Sequence, residues 1–322
     1  MKAAVRSTYG ASEVLSVKEI DIPTPKDNEV LIRVHAATVN RSDCHVLTGK
    51  PYAMRLFTGL SKPKLATTGC DFAGEIAATG RGVTAFKPGD KIMGFGGGLG
   101  SGSHAQYFIL RGTTAAKAIV PMAANLTYAE AAACLEGAFY ALNSVKGIDP
   151  KPGQKALVIG ATGAIGAATV QFLKYYGVSV TATCRGEHEA LVRSLGAERM
   201  IDYTKKDFTK DNERYDLIFD SVGKSSFFKC KHLLKKNGKY TSSNGIINFF
   251  LILITSILGG KKVVFKIAVR IKAGLQFIKE LIEEGKFVPV TDRIYPLERI
   301  ADAYSYVMTG QKVGNVVIIM DN

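Results

Sequence analysis

The sequence predicts an α/β protein in two parts, a β-rich domain that opens the chain and a doubly wound parallel sheet. Three observations predict it. Residues 29–40, EVLIRVHAATVN, alternate like a half-buried strand. From about Pro121 strand-like and helix-like segments alternate, the order that builds a parallel sheet with helices on both faces. Between one such strand, KALVIG, and a helical stretch, AATVQFLKYYG, lies the turn IGATGAIG at residues 159–166.

The elements follow in order. GEIAATG (74–80) and DKIMGF (90–95) read as short strands cut by turns, among them KPGD at 87–90, and SHAQYFIL (103–110) as another. Residues 128–145 read as one helix with a small-residue face. KALVIG, VSVTAT (178–183), RMIDY, YDLIFDSV and GKYTSS are the strands of the second part, with helices between them. A long helix ends near Gly285, and residues 314–320, GNVVIIM, form a last strand that returns to the first domain. No repeat or low-complexity tract interrupts this order.

The glycine turn points to a dinucleotide. A strand ending in glycines and opening a helix offers free N–H groups, a positive dipole end and room for a pyrophosphate. Read as G-x-G-x-x-G, its first position is Ala161, followed by Gly163 and Gly166, with Gly160 ahead. The expected contacts are Gly160, Ala161, Thr162, Gly163, Ala164, Ile165 and Gly166. Ser221, Val222 and Gly223, and residues 242–244 with Ser242 and Ser243, fall at other strand ends where dinucleotides bind. The second strand ends in Cys184 and Arg185, with no acid before Glu187. A carboxylate there would repel a 2′-phosphate and an arginine pairs with it, so the expected cofactor is NADPH, with Tyr203 and Lys205 assisting.

Length and composition set wider bounds. The 322 residues suffice for two cored domains. The net charge of +14 suits an anionic cofactor and could favour anionic surfaces. The lysines lie in separate clusters without a nucleic-acid motif, so nucleic acid is not an expected partner. Five cysteines, odd in number and without a C-x-x-C pair, point to free thiols in a reducing compartment. No signal peptide precedes the first strand, and the expected location is cytoplasmic. Residues 246–258 are apolar but too short to span a bilayer. A buried segment or substrate-pocket wall, with Phe249 and Phe250 in it, is the first expectation, and peripheral membrane contact the alternative.

These pieces together resemble the medium-chain dehydrogenase/reductase superfamily, in its zinc-independent quinone oxidoreductase and enone reductase branch. The segments that carry the resemblance are VNRSDCHVLTG, GCDFAGEIAATGRGVTAFKPGDKIMG, SHAQYFIL, EAAACLEGAFYAL, the IGATGAIG turn, SLGAERMIDY and VGNVVIIM. It implies a GroES-like catalytic domain, residues 1–121 and 262–322, split around a Rossmann NADPH-binding domain, residues 122–261, and adds Gly314 and Asn315 to the cofactor set. Zinc alcohol dehydrogenases of this superfamily carry a cysteine ligand where Asn40 stands and G-H-E where Cys70 and Asp71 stand. No metal is therefore expected, and a zinc built from Cys70, Asp71 and His45 is the minor alternative.

The implied activity is hydride transfer from NADPH to a quinone or an α,β-unsaturated carbonyl, whose conjugation already makes the carbon electrophilic. The candidate catalytic residues are Asn40, which would orient nicotinamide or acceptor, His45, which would donate a proton, and Tyr52, which would line the acceptor. Tyr140 stands where relatives carry a nicotinamide-facing threonine. Two other readings stay open: a zinc-type alcohol dehydrogenase, and a non-catalytic NADPH-binding or membrane-associated protein on the same fold. A small-molecule acceptor is the expected partner, with a homodimer left open.

Overall fold

The computed structural model describes residues 1–243 and 245–320, with the backbone alone for 245–249. The chain divides into two compact units, residues 1–137 with 271–322, and residues 138–270.

The first unit is built on a seven-stranded sheet. Its strands are β3 (Glu29–Val39), β4 (Asp71–Thr79), β5 (Lys91–Phe95), β6 (Tyr107–Arg111), β7 (Ile119–Pro121), β14 (Thr291–Pro296) and β15 (Asn315–Ile319). The order is β14-β15-β3-β4-β5-β7, with β6 also on β3. β1 (Lys2–Val5) and β2 (Ser16–Glu19) form a separate antiparallel pair. Helices α1 (Arg41–Thr48), α2 (Arg55–Thr58), α3 (Gly112–Ala118), α4 (Tyr128–Ala133), α10 (Ile271–Glu283) and α11 (Ile300–Thr309) complete it. The alternation read in residues 29–40 is strand β3, and its buried Val30, Ile32 and Val34 join Phe72, Ile76 and Tyr304 in the core.

The second unit is a six-stranded parallel sheet. Its strands are β8 (Lys155–Ile159), β9 (Ser179–Cys184), β10 (Arg199–Asp202), β11 (Tyr215–Asp220), β12 (Leu234–Ser242) and β13 (Lys262–Val263), in the order β10-β9-β8-β11-β12-β13. Helices α5 (Glu136–Ile148), α6 (Ala164–Tyr175), α7 (Glu189–Ser194), α8 (Phe227–Cys230) and α9 (Gly245–Leu258) accompany it, α5 beginning in the first unit. The strand order reverses between β8 and β11, the point where such sheets hold ligands beyond their carboxyl ends. The apolar run of YDLIFD lies on both faces of β11, as the centre of a covered parallel sheet requires.

Three expectations differ from this. Residues 128–145 form two helices, because the chain turns at buried Cys134 and Leu135 and restarts at Glu136. The units part near 137 and 270 rather than at 121 and 261. α4 packs on β3, β4 and β15, which ties it to the first sheet. The Val269 N–H donates to Asn143 Oδ1, and Val264 to Tyr240 O, which keeps residues up to 270 with the second.

The third difference concerns the apolar segment, which is helix α9. Among its described side chains, Leu251, Ile252 and Thr255 turn inward, and the two apolar ones pack on the core of Leu157, Tyr215 and Tyr240. Phe250, Leu253, Ile254, Ile257 and Leu258 are exposed, so the segment is not buried as a whole. The Phe249 side chain and Asn244 lie outside the described residues. No described helix is long and apolar enough to cross a membrane.

Candidate active site and dinucleotide turn

At the carboxyl end of β8 each glycine of the turn has a separate reason. Gly160 sits at φ +75°, in the left-handed region, and a Cβ there would lie 2.4 Å from Val222 Cγ1. A Cβ on Gly166 would lie 2.0 Å from Gly160 O, so this glycine lets α6 press against the turn. A Cβ on Gly163 would meet only Gly160 O, at 3.8 Å. Gly163 is the N-cap of α6, and the space above it is open at the helix's positive end. A pyrophosphate at Gly163 fits this turn, because the protein itself does not use that space.

The neighbouring strand ends are held to the turn. The Gly160 N–H donates to Thr183 Oγ1 at 3.1 Å, and the Ala161 N–H to Thr183 O at 3.1 Å. The Asp220 carboxylate, buried at the end of β11, accepts from the N–H groups of Val222, Gly223 and Ser225 at 3.3, 2.8 and 2.9 Å. Ser242 Oγ donates to the same carboxylate at 3.4 Å, and the Ser243 N–H donates to Asp220 O at 3.0 Å. Asp220 thus shapes the loop of Ser221, Val222 and Gly223 and links it to Ser242 and Ser243. Sequence reading missed it, although it is the buried acid that ends the apolar strand β11 at the switch point.

Beyond β9 and β10, Arg185 Nε donates to Tyr203 OH at 3.3 Å. Both side chains are about half exposed and reach the same edge. Glu187 lies 4.0 Å from Arg185 Nη1 and is itself open to solvent. Asp202 approaches from β10, but its carboxylate accepts from the N–H and hydroxyl of Thr204 at 3.0 and 2.6 Å. Cys184 is buried, and burial, helped by Asp202, pushes its thiol up to about 11, so it packs as a neutral group.

Gly314 and Asn315 belong to the first unit. Gly314 sits at φ +78°, and its carbonyl accepts from Lys312 Nζ at 2.6 Å. Asn315 Nδ2 donates to Ala133 O and Val290 O at 2.8 and 3.1 Å. These bonds tie α4 and the segment before β14 to β15, and they use both amide donors.

The first unit gathers a buried polar cluster from five separate segments. Asn40 caps α1; its N–H donates to Asp43 Oδ2 at 2.8 Å and its Nδ2 to Thr38 Oγ1 at 2.7 Å. Its Oδ1 accepts from Lys312 Nζ at 3.3 Å. Asp71 accepts from the Thr38 N–H and hydroxyl at 2.8 and 2.7 Å. Ser42 Oγ donates to Glu136 Oε1. Asp43 Oδ1 and Glu136 Oε2 are buried without a hydrogen-bond partner. His104 is enclosed by Thr68 Oγ1, Thr38 O and Tyr304 OH.

Burial governs the ionisation of this cluster. It raises Asp43 and, with Asp43 and Asp71 nearby, lifts Glu136 well above the usual carboxyl range. Asp71 is pushed up to about 7 by burial and by Asp43. Lys312 is brought down to about 8 by desolvation, opposed first by Glu136. The Cys70 thiol is driven up by burial and keeps its proton. Sequence reading singled out Asn40, Cys70 and Asp71 here, but gave no role to Asp43, Glu136, His104 or Lys312. Acids inside otherwise small or apolar runs, such as ACLEGAF, were the available signal.

His45 and Tyr52 stand apart from this cluster. His45 Nδ1 is 2.8 Å from Lys50 O and so carries the proton that bonds it, leaving Nε2 available. Desolvation lowers its pKa, so near neutral pH the ring is largely uncharged. Its role as an imidazolium donor is weakened accordingly. Tyr52 is 67% exposed and lies over the Arg55 guanidinium, 4.9 Å from it, which leaves its ring free to meet a ligand.

Two family models match the chain, an alcohol dehydrogenase GroES-like domain at residues 26–122 and a zinc-binding dehydrogenase at residues 195–318. An NADPH-dependent alkenal/one oxidoreductase of Arabidopsis thaliana is 31% identical, over 99% of this chain and 79% of that protein. The chain belongs to the medium-chain dehydrogenase/reductase superfamily. A chloroplast envelope quinone oxidoreductase homolog of the same plant is 30% identical, over 99% of this chain and 98% of its own length. Among solved structures, the quinone oxidoreductase from Coxiella burnetii superposes with a TM-score of 0.89 at 25% identity, over 100% of this chain and 99% of that one. This member of the superfamily joins a GroES-like unit with a mixed sheet to a Rossmann-like parallel sheet, and it is an oxidoreductase.

The zinc-binding dehydrogenase model raises the question of a metal. Asp43, Cys70 and Glu136 each place one donor atom within 4.8 Å of the others, all buried. With two unpartnered carboxylate oxygens, this trio meets the count of three protein ligands that a catalytic zinc site uses. It is not the set considered from sequence. Both Asp71 oxygens are occupied by Thr38, and among the described residues His45 does not join this group of donors, so only Cys70 carries over.

Proposed function

We propose that this oxidoreductase transfers a hydride from NADPH to a quinone or an α,β-unsaturated carbonyl without a metal. The observation that carries the cofactor part is the turn in which Gly163 is open while Gly160 and Gly166 are closed by neighbouring atoms. The acceptor class rests on family kinship, since the relatives named above reduce alkenals, alkenones or quinones by their descriptions.

Bound NADPH supplies the hydride. The chain's own residues do the rest. N–H groups at the start of α6 hold the pyrophosphate, and the loop of Ser221, Val222 and Gly223, set by Asp220, borders it. Arg185, steadied by Tyr203, pairs with the 2′-phosphate. Asn40 is fixed by Thr38, Asp43 and Lys312, so its amide can orient a carbonyl without first losing side-chain freedom. Tyr52 offers an aromatic face to a flat acceptor, and His45, once Nε2 has taken up a proton, passes it on to complete reduction.

A second reading, a zinc-type alcohol dehydrogenase, is favoured by the trio of Asp43, Cys70 and Glu136. These residues would hold the ion, and it would supply Lewis-acid polarisation of a carbonyl.

The test is NADPH oxidation by chelator-treated, metal-analysed protein, with a quinone and an enone as acceptors and NADH as the control. Metal-free turnover that favours NADPH supports the first reading. Activity that vanishes with one bound zinc per chain and returns with it establishes the second. NADPH binding without turnover on either acceptor overturns the first reading, and zinc-loaded protein inactive toward alcohols and aldehydes overturns the second.

A further inference from the structure

Helix α9 and its surroundings in the second unit are left unexplained by the chemistry above. The exposed side chains Phe250, Leu253, Ile254, Ile257 and Leu258 recur at i, i+3, i+4, i+7 and i+8, one continuous face of the helix. Their exposures run from 49% for Ile254 to 84% for Ile257. The opposite side, Leu251 and Ile252, is seated on the core, and Thr255 Oγ1 accepts from the Val263 N–H at 3.1 Å. The exposed face therefore cannot turn inward while the helix stays docked. An apolar surface of this kind, on the order of a few hundred Å², marks an interaction site more often than chance exposure.

The charge around it is one-sided. Residues 221–270 hold ten lysines and arginines and no aspartate or glutamate, in a chain whose whole excess is +14. The structure brings several of them to the carboxyl end of α9. Lys261 and Lys262 follow the Gly259–Gly260 turn, Lys262 pairs in register with Lys239, and Lys261 Nζ donates to Lys231 O at 2.8 Å. Among the described residues, Lys235 is the only one of the ten in an ion pair, with Asp216 at 2.7 Å.

We propose that α9 lies in the interface of an anionic lipid bilayer, its five-residue face among the acyl chains and the flanking lysines on the headgroups. A bilayer satisfies both features at once: apolar contact for the helix face and negative charge for the basic flank. A second copy of the chain would meet this face with the same uncompensated positive charge. A nucleic-acid backbone would leave the apolar face without a partner. The helix, Gly245–Leu258, is too short to span, so contact is parallel to the surface.

The chain has no tryptophan, so Phe250→Trp provides a single reporter on this face. The full-length variant is mixed with vesicles of phosphatidylcholine alone, or with about one-third phosphatidylserine. The expected result is a blue-shifted emission and co-sedimentation with the anionic vesicles only, reversed in about 0.5 M salt. In that background the pair Ile257→Ser and Leu258→Ser, and the pair Lys261→Glu and Lys262→Glu, should each weaken binding about tenfold or more. NADPH affinity, measured alongside, should be unchanged and so report an intact second unit. No co-sedimentation overturns the proposal, as does binding untouched by either pair. A blue shift that grows with protein concentration without lipid also overturns it, in favour of self-association.

Discussion

The glycine turn of the second unit and the polar cluster of the first solve different problems with different parts of the chain. The turn is a backbone device. Seven consecutive residues build it, and its specificity lies in where side chains are missing: Gly163 leaves room for a ligand, while Gly166 leaves room for the protein itself. The cluster is a side-chain device. Thr38, Asn40, Asp43, Asp71, Glu136 and Lys312 come from segments far apart in the chain, Asn40 and Lys312 being separated by 272 residues, and are meaningful only once β3, β4, α1, α5 and the approach to β15 are assembled. The difference teaches that an open helix N-terminus can be carried by local geometry, whereas ionisable groups held out of water need the whole unit.

The strongest way to break this comparison is at the glycines. Gly166→Ala should cost about 3 kcal/mol or more, because its Cβ would fall 2.0 Å from a backbone oxygen that cannot move aside. Gly163→Ala should cost under about 1 kcal/mol in stability. It should nonetheless weaken NADPH about tenfold, since its methyl would occupy the open space. Thermal melts and NADPH titrations of both variants check this, and equal stability losses would end the distinction between packing and ligand glycines.

Next comes the cluster. Asp71→Ala leaves the buried N–H and hydroxyl of Thr38 without acceptors and should destabilise the protein by about 2–3 kcal/mol. Asp71→Asn, which retains an acceptor, should cost less. Chemical denaturation measures both, and identical midpoints would mean Asp71 acts only as volume.

The edge of the dinucleotide site tests whether a side chain also matters there. Arg185→Ala should weaken NADPH by about ten- to a hundredfold and NADH little, a difference of about 1.5–3 kcal/mol. Equal losses would remove Arg185 from the 2′-phosphate.

The smallest effect concerns one ion pair of the second unit, Arg199 with Asp211. Arg199 holds Asp211 through two contacts of 2.7 Å, with Tyr215 OH on the same carboxylate. Led by the Arg199 hydrogen bond, the Asp211 carboxyl is depressed to about 2 from an ordinary value of 3.8. Its folded value lies below its unfolded one, so the pair's stabilisation is complete above about pH 4 and is lost as pH falls toward 2. Asp211→Asn should cost about 1–2 kcal/mol at neutral pH, the partly exposed arginine limiting the effect, and should flatten the acid limb of a stability–pH curve. An unchanged acid limb would mean that other carboxylates set it.

Legibility in the sequence follows the same division. The parallel sheet was readable because strand and helix periods alternate over short spans, and the turn because its residues are contiguous. Asn40 was readable beside Asp43 in one motif, yet the bond between them depends on a cap that only forms at the end of β3. Glu136 was hidden inside what reads as a single helix; the break at Cys134 that frees it is a tertiary event. Lys312 gives no local signal at all. The apolar segment at residues 246–258 was visible as a segment, but composition does not say which of its sides the core will take.

By itself, then, the sequence determined the two-part α/β architecture, the superfamily and the glycine turn between β8 and α6, because periodicity and glycine placement are local properties of the chain. Only the tertiary structure decided which acids share a buried cluster, which cation faces them, where the units divide and which face of α9 stays in solvent. Those outcomes depend on burial and on long-range neighbours, and burial is a property of the assembled fold rather than of any stretch of residues.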